Sequence, residues 1–227
     1  MQKLVVFSGA GISAESGLRT FRDSDGLWEE YRVEDVATPE AWDSDPELVQ
    51  HFYNLRRKQI MEATPNAAHI ALADLESRFD TTIITQNIDD LHERAGCKNV
   101  LHLHGEIMKA RSTEDPDLLY ELNDWELKIG NKNQQGHQLR PHVVWFGEAV
   151  PMIPIAQSVI AQAEILIIVG TSLNVYPAAG LIHYAPSHSL KYLVDPGDLR
   201  LPDINNLTVL REKAGTGVPM VVKALLN

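Results

Sequence analysis

The sequence predicts an α/β fold, a Rossmann-like parallel sheet with helices on both faces, with one small insertion. Three observations predict it. Short apolar runs alternate with stretches of helical spacing along most of the chain, which is the pattern of strands buried on both sides by crossover helices. Most of these runs end in glycine or a polar turn, as strands do where an open parallel sheet presents its loops to a ligand. At 227 residues and 44% hydrophobic, the chain can bury one ample core but not two full domains, so residues 1–227 are expected to form one domain.

Taken in order, the expected strands are Leu4 to Phe7, Thr82 to Thr85, Val100 to Leu103, Ile165 to Val169, Tyr192 to Val194 and Leu207 to Leu210. Asp45 before Pro46 reads as a helix cap followed by a first-turn proline, and Thr64-Pro65 repeats that device before a helix over Ala67 to Arg78. In the first of these helices Leu48, Phe52, Leu55 and Gln59 follow helical spacing, and the first three are expected to form its buried stripe. Two stretches break the alternation. Residues 15–44 read as a long loop with short helical turns. Residues 106–139, rich in Asp, Glu, Asn, Lys and Gln, read as an inserted subdomain with a minor core of Leu118, Leu119, Leu122 and Trp125.

Composition excludes several function classes. No apolar stretch approaches the roughly 20 residues that a membrane span requires, and the first strand begins too early to leave room for a leader, so a cytoplasmic protein without a membrane partner is expected. The formal charge of −11 disfavours nucleic acid as a partner and suits basic ones, or simply a solvated acidic surface. With Cys97 as the only cysteine, neither an internal disulfide nor a thiolate-rich metal site can form. The sequence does not set the oligomeric state, and a monomer is the expectation taken.

Gly9-x-Gly11-x-x-Ala14 follows the first strand and opens a possible helix, the context in which glycines let the backbone approach a pyrophosphate. The same residues would also serve a tight strand-to-helix turn. A dehydrogenase would next show a strand ending in an acidic residue about 20 positions on, to hold a ribose. Here that region reads Asp25-Gly26-Leu27-Trp28-Glu29-Glu30 without an apolar run before it, which points away from hydride transfer. Gly170-Thr171-Ser172 ends the most apolar strand and offers N–H groups and two hydroxyls to phosphate or ribose oxygens, or caps a turn. Gln86-Asn87-Ile88-Asp89 sets three polar side chains at another strand's carboxyl end, which faces the ligand crevice. Leu101-His102-Leu103-His104 alternates, so both histidines share a face, and His104, before Gly105, is the better placed to reach a ligand. An imidazole suits proton transfer at neutral pH, although a histidine beside a core strand is more often structural.

Gly9-Ala10-Gly11-Ile12-Ser13, Thr85-Gln86-Asn87-Ile88-Asp89, His104-Gly105 and Gly170-Thr171-Ser172-Leu173, in this order and spacing, resemble the sirtuins, NAD-dependent protein-lysine deacylases, and the likeness runs from Leu4 to about Pro219. The resemblance implies that NAD is held by Gly9, Ala10, Gly11, Ser13, Glu15, Thr20, Phe21, Arg22, Trp28, Gln86, Asn87, Ile88, Asp89, Gly170, Thr171, Ser172, Asp195 and Ala214. Thr20-Phe21-Arg22 matches a mobile loop whose ring shields the reacting centre. It implies that His104 deprotonates a ribose hydroxyl, with Asn87 and Asp89 orienting ribose and nicotinamide. By the same implication the acyl-lysine carbonyl oxygen displaces nicotinamide, the ribose hydroxyl attacks the resulting intermediate, and water completes release of free lysine and 2'-O-acyl-ADP-ribose. No metal takes part, and His92 and His102 remain structural.

Tyr53 and Arg56 are neighbours at i,i+3 spacing, and a phenol with a guanidinium can bind a carboxylate. With Arg57 and Lys58 alongside, spacing alone favours a solvated flank beside the buried stripe. The resemblance implies the first use, because Tyr-x-x-Arg marks the sirtuin class that removes succinyl as well as acetyl groups. Val143 to Glu148 resembles the segment that pairs the acyl-lysine peptide by strand addition, with Val144, Phe146 and Gly147 as contacts. One departure stands out. Sirtuins carry two cysteine pairs for a structural zinc, whereas this chain has Arg111, Ser112 and Thr113 near the first pair and His137 near the second, so zinc is expected to be absent. Two other functions stay open: an ADP-ribosyltransferase or NAD hydrolase, disfavoured by Tyr53 and Arg56, and a non-catalytic NAD or ADP-ribose module, disfavoured by Asn87, Asp89 and His104.

Overall fold

The computed structural model describes residues 1–19, 27–28, 31–171, 173, 176–197 and 204–227. The strands are β1 (Gln2–Ser8), β2 (Leu27–Trp28), β3 (Tyr31–Arg32), β4 (Phe79–Thr85), β5 (Val100–His102), β6 (Gly105–Ser112), β7 (Leu119–Glu121), β8 (Leu139–Val143), β9 (Ile165–Val169), β10 (Leu190–Val194) and β11 (Leu207–Leu210). The helices are α1 (Val33–Val36), α2 (Pro39–Ser44), α3 (Pro46–Glu62), α4 (Ala67–Asp74), α5 (Leu91–Ala95), α6 (Ile153–Ile160) and α7 (Ala214–Leu226).

Six strands form one parallel sheet in the order β11-β10-β9-β1-β4-β5. Counted along the chain these strands run 6-5-4-1-2-3, so the order reverses between β1 and β9, the place where open α/β sheets bind ligands. The continuous apolar runs are explained by burial on both faces. Leu4, Val6 and Ile167 pack with α4 and α7, while Val5, Phe7, Leu166 and Ile168 pack with α6 and the 3-10 turn Ala178–Tyr184. Among the described residues no helix is long and apolar enough to cross a membrane.

Several local expectations need correction. The glycine loop opens two 3-10 turns, Ala10–Ile12 and Ala14–Ser16, rather than a helix. Besides short helical turns, residues 15–44 contain the β2–β3 hairpin. Asp45 does cap α3, its side chain accepting from Leu48 N, but the cap of α4 is Asn66 in a reciprocal box with His69, not Thr64. The inner face of α3 is Val49, Phe52, Tyr53, Arg56 and Ile60, with Leu48 and Leu55 only half-buried and Gln59 exposed. Tyr53 and Arg56 are thus part of the buried face, 0% and 6% exposed, and not a flank beside it.

The inserted region is a three-stranded antiparallel sheet in the order β7-β6-β8, running from Gly105 to Val143. Gly105 has φ of +83°, and a Cβ there would lie 2.2 Å from the His142 carbonyl oxygen, so only glycine lets β6 start so close to β8. The small core is Ala110, Leu127 and Leu139, with Tyr120 and Leu122 against it; of the other expected members, Leu119 is exposed and Leu118 and Trp125 are half-buried.

Candidate active site

Because the sheet is parallel, Ser8, Thr85, Val169 and Val194 end in register on one edge, and the loops that follow them meet there. Gly9 N donates to Val169 O (3.0 Å) and Gly11 N to Gly170 O (2.8 Å). A Cβ on Gly11 would fall 2.7 Å from Gly170 Cα, and Gly170 has φ of +62°. The glycines are therefore required first by the contact between two loops, and the residue between them, Ala10, is exposed.

Gln86 Nε2 donates to Thr171 Oγ1 (3.0 Å), which ties the loop after β4 to the loop after β9. Asn87 Nδ2 donates to Ser13 Oγ (3.1 Å), and Ser13 Oγ donates to Asp89 Oδ2 (3.0 Å), while Asp89 Oδ1 accepts from Leu91 N (3.2 Å). Burial raises the Asp89 carboxyl above its ordinary value, against the opposing pull of the Leu91 N–H, Ser13 and His102. Ile88 is buried in the cluster that holds Tyr53, Val143 and Trp145. The Asn-Ser-Asp chain is thus desolvated and fixed.

His104 joins two parts of the site. Its Nδ1 lies 2.8 Å from Gln86 O, and its own carbonyl accepts from Val144 N at 2.8 Å. A carbonyl oxygen only accepts, so Nδ1 carries the proton and Nε2 keeps its lone pair. Burial lowers the pKa of His104, outweighing the Gln86 bond, which leaves the neutral ring as the form present at pH 7. His92 is buried against Ser8 Oγ (3.0 Å) and the His69 ring, with a pKa held well below the ordinary value by burial, as expected of a structural residue.

Other expected cofactor residues fall at the same edge. Asp195 follows β10, is 3% exposed, and accepts from Gly197 N; Ala214 opens α7, whose Gly215 N donates to Glu15 Oε2 at 2.7 Å. Thr20, Phe21, Arg22 and Ser172 lie outside the described residues, as does the side chain of Trp28. Asn66 was missed by sequence reasoning. Besides capping α4 it donates to Ile12 O (2.8 Å) and Ser16 Oγ (3.0 Å), bracing the glycine loop from below, and the Asn-x-x-His spacing before an apolar helix was its available signal.

Tyr53 feels Trp145, Arg56, Arg140 and Glu148 as its polar neighbours. Burial pushes the phenol well above its ordinary pKa, while Trp145, Arg56 and Arg140 favour its ionised form. The Tyr53 hydroxyl and the Trp145 indole N–H are both buried without a hydrogen bond of normal geometry, although the two are near enough for the indole to influence the phenol. Arg140 lies 3.3 Å from the Trp145 ring centre, and burial lowers its pKa to about 10. Glu148 accepts from Trp145 N (2.7 Å) and pairs with Arg111 and Arg140, so the bend that follows β8 is held rigid. The bend leaves Phe146 and Gly147 exposed, with Val144 half-buried.

The inserted sheet does not offer a zinc site. Zinc requires four tetrahedral N or S donors, and among the described residues no group of three or more His, Cys, Asp or Glu is placed to hold a metal. Polar turns stand there instead. Ser112 Oγ accepts from Glu114 N and Asp115 N (3.2 and 3.3 Å), and Asn133 Oδ1 accepts from Gln135 N and His137 N (3.0 and 2.9 Å). The sheet is also gripped from α3, where Asn54 exchanges two bonds with the backbone of Leu127 and Arg57 donates to Trp125 O and Ile107 O. Prolonged chelation is therefore expected to leave melting temperature and activity unchanged; unfolding on removal of stoichiometric zinc would show otherwise.

Comparison with known proteins agrees with this geometry. The sequence model of the Sir2 family matches residues 9–177. A Bacteroides thetaiotaomicron protein named NAD-dependent protein deacylase is 51% identical over 231 residues, covering 100% of this chain and 99% of its own. A Helicobacter pylori protein of the same name is 54% identical over 198 residues, covering 86% of this chain and 85% of its own. A crystal structure of a Sir2 homolog–NAD complex superimposes with a TM-score of 0.89 at 38% identity, covering 99% of this chain and 89% of that one.

Proposed function

The chain belongs to the Sir2 family, and from that premise we propose how its residues divide the work of an NAD-dependent protein deacylase. NAD supplies the glycosidic bond whose cleavage activates the sugar carbon and releases nicotinamide. The glycine loop and Thr171 hold the pyrophosphate and adjoining ribose, with Asp195 and Ala214 at the adenosine end. Asn87 and Asp89, locked through Ser13, orient the second ribose and the amide of nicotinamide. His104 takes the proton from a ribose hydroxyl at Nε2. The acylated lysine lies along Val144, Phe146 and Gly147, and its acyl group reaches Tyr53 and Arg56.

The observation that supports this reading most is the double attachment of His104, through its ring to Gln86 O and through its backbone to Val144 N. A neutral base between the cofactor loop and the substrate bend is what a reaction joining acyl-lysine to a ribose needs. Succinyl as well as acetyl groups are proposed substrates, since buried Arg56 and the Tyr53 hydroxyl suit a carboxylate. The protein is proposed to work as one unit over residues 1–227, in the cytoplasm and as a monomer. Mass spectrometry of paired acetyl- and succinyl-lysine peptides, with and without NAD, tests the assignment. Loss of both acyl groups only with NAD is expected; NAD cleavage with both peptides left intact would point to hydrolysis or ADP-ribosyl transfer.

A further inference from the structure

His102 has two partners, and both are acceptors. Its Nδ1 lies 3.0 Å from Asn87 O and its Nε2 lies 2.7 Å from Glu93 Oε1. Neither a carbonyl nor a carboxylate can donate, so two bonds at once require a proton on each ring nitrogen. His104, two residues on, has one acceptor on its ring and is satisfied as the neutral form. Two histidines on one edge are thus held in opposite protonation states.

The surroundings agree with this assignment. Burial opposes the charge on His102, but the bond and charge of Glu93, the Asn87 carbonyl and Glu106 outweigh it, and its pKa is raised. For Glu93 burial likewise disfavours the charge, and His102 together with Lys109 reverses this and lowers its pKa. The other charged or titratable neighbours are Asp89 in the loop, whose carboxyl is raised by burial against the opposing pull of His102, and His92 on α5, kept neutral by burial first and then by His69 and His102. The His102 side chain is 7% exposed, so water offers little competition for its bonds.

The placement gives the pair a task. Glu93 is on α5 and His102 on β5, and the loop 86–90 spans from β4 to α5 between them. Through Asn87 O the imidazolium fixes the peptide whose side-chain amide donates to Ser13 and, through it, to Asp89. We propose that His102, clamped by Glu93, is a positioning residue that sets the Asn87 peptide for NAD, so that NAD affinity depends on the His102 proton. This rests on Asn87 facing NAD, as assigned above. A neutral ring has a single N–H and must release either Asn87 or Glu93. With its pKa raised, the grip of His102 is present below the ordinary imidazole value and lost as pH rises through the raised pKa. The base form of His104, whose pKa is lowered, is lost only in acid.

The test measures KM for NAD and kcat against pH for the wild type, Glu93→Gln and His102→Gln, with melting temperature followed at each pH. In the wild type, KM for NAD should rise severalfold on the alkaline side while kcat falls only on the acid side. Glu93→Gln removes the anion that holds the proton and should move the alkaline limb about one unit lower, the size typical of a close charge partner. His102→Gln should abolish that limb and leave KM raised and flat. In both variants the acid limb of kcat, set by His104, should stay in place. An alkaline limb that overlays the wild type in both variants would overturn the inference, as would a loss confined to kcat. Calorimetry of NAD with the wild type separates the premise from the inference: no binding there removes the site assignment itself.

Discussion

His104→Ala is expected to bind NAD as the wild type does and to lose deacylation by several orders of magnitude. General-base catalysis is worth about 10²–10⁴-fold by itself, and in the proposed division of work His104 is the group that takes the ribose proton. The substitution removes the ring and its bond to Gln86 O but keeps the His104 carbonyl, which accepts from Val144 N, so the substrate bend should persist. Calorimetry for NAD beside single-turnover kinetics checks both halves. Near-normal turnover would remove His104 from the chemistry, and loss of NAD binding would make it a scaffold for the Gln86 loop.

Arg56→Met should lower kcat/KM for succinyl-lysine by at least about tenfold and change acetyl-lysine by only a few-fold. Removing one partner of a desolvated, hydrogen-bonded charge pair costs about 2–5 kcal/mol, roughly 30-fold or more in affinity. A neutral acetyl group never engages that cation. Methionine keeps much of the length and the helix propensity at a position that α3 buries. Tyr53→Phe should show a smaller loss in the same direction, because it removes a hydroxyl and not a charge. Equal losses on both peptides would make Arg56 a structural residue and leave deacetylation as the activity.

The main sheet was legible because its strands are apolar on both faces and end in turns. β9 and β11 match the expected ranges, while β4 starts earlier, at Phe79, since Asp80 and Thr81 disguise its first residues as a turn. The site's loops were legible for the same reason, each following a strand. The inner face of α3 was not, because hydropathy treats arginine as solvent-facing and cannot foresee that Arg57 and Asn54 bond to carbonyls of the inserted sheet and that Arg56 turns inward beside Tyr53. β6 was hidden similarly: its residues alternate with polar ones, and the longer of its partner strands, β8, begins only at Leu139. His102 read as structural, which is true of its burial but not of its two acceptors, and these become visible only when β5 and α5 are brought together.

The turns of the inserted sheet are closed by a hydroxyl at Ser112 and an amide at Asn133, neither of which peroxide or a soft electrophile attacks. Cys97, the one thiol in the chain, is 6% exposed, and burial together with Glu76 and Glu93 pushes its pKa up to about 12, so almost none of it is the reactive thiolate at neutral pH. A sheet held by sulfur and metal comes apart when its sulfurs are oxidised. In this protein the same part of the fold holds no cysteine, its one sulfur being the Met108 thioether, and deacylation should continue through a thiol-directed oxidative challenge that stops a thiolate-built counterpart.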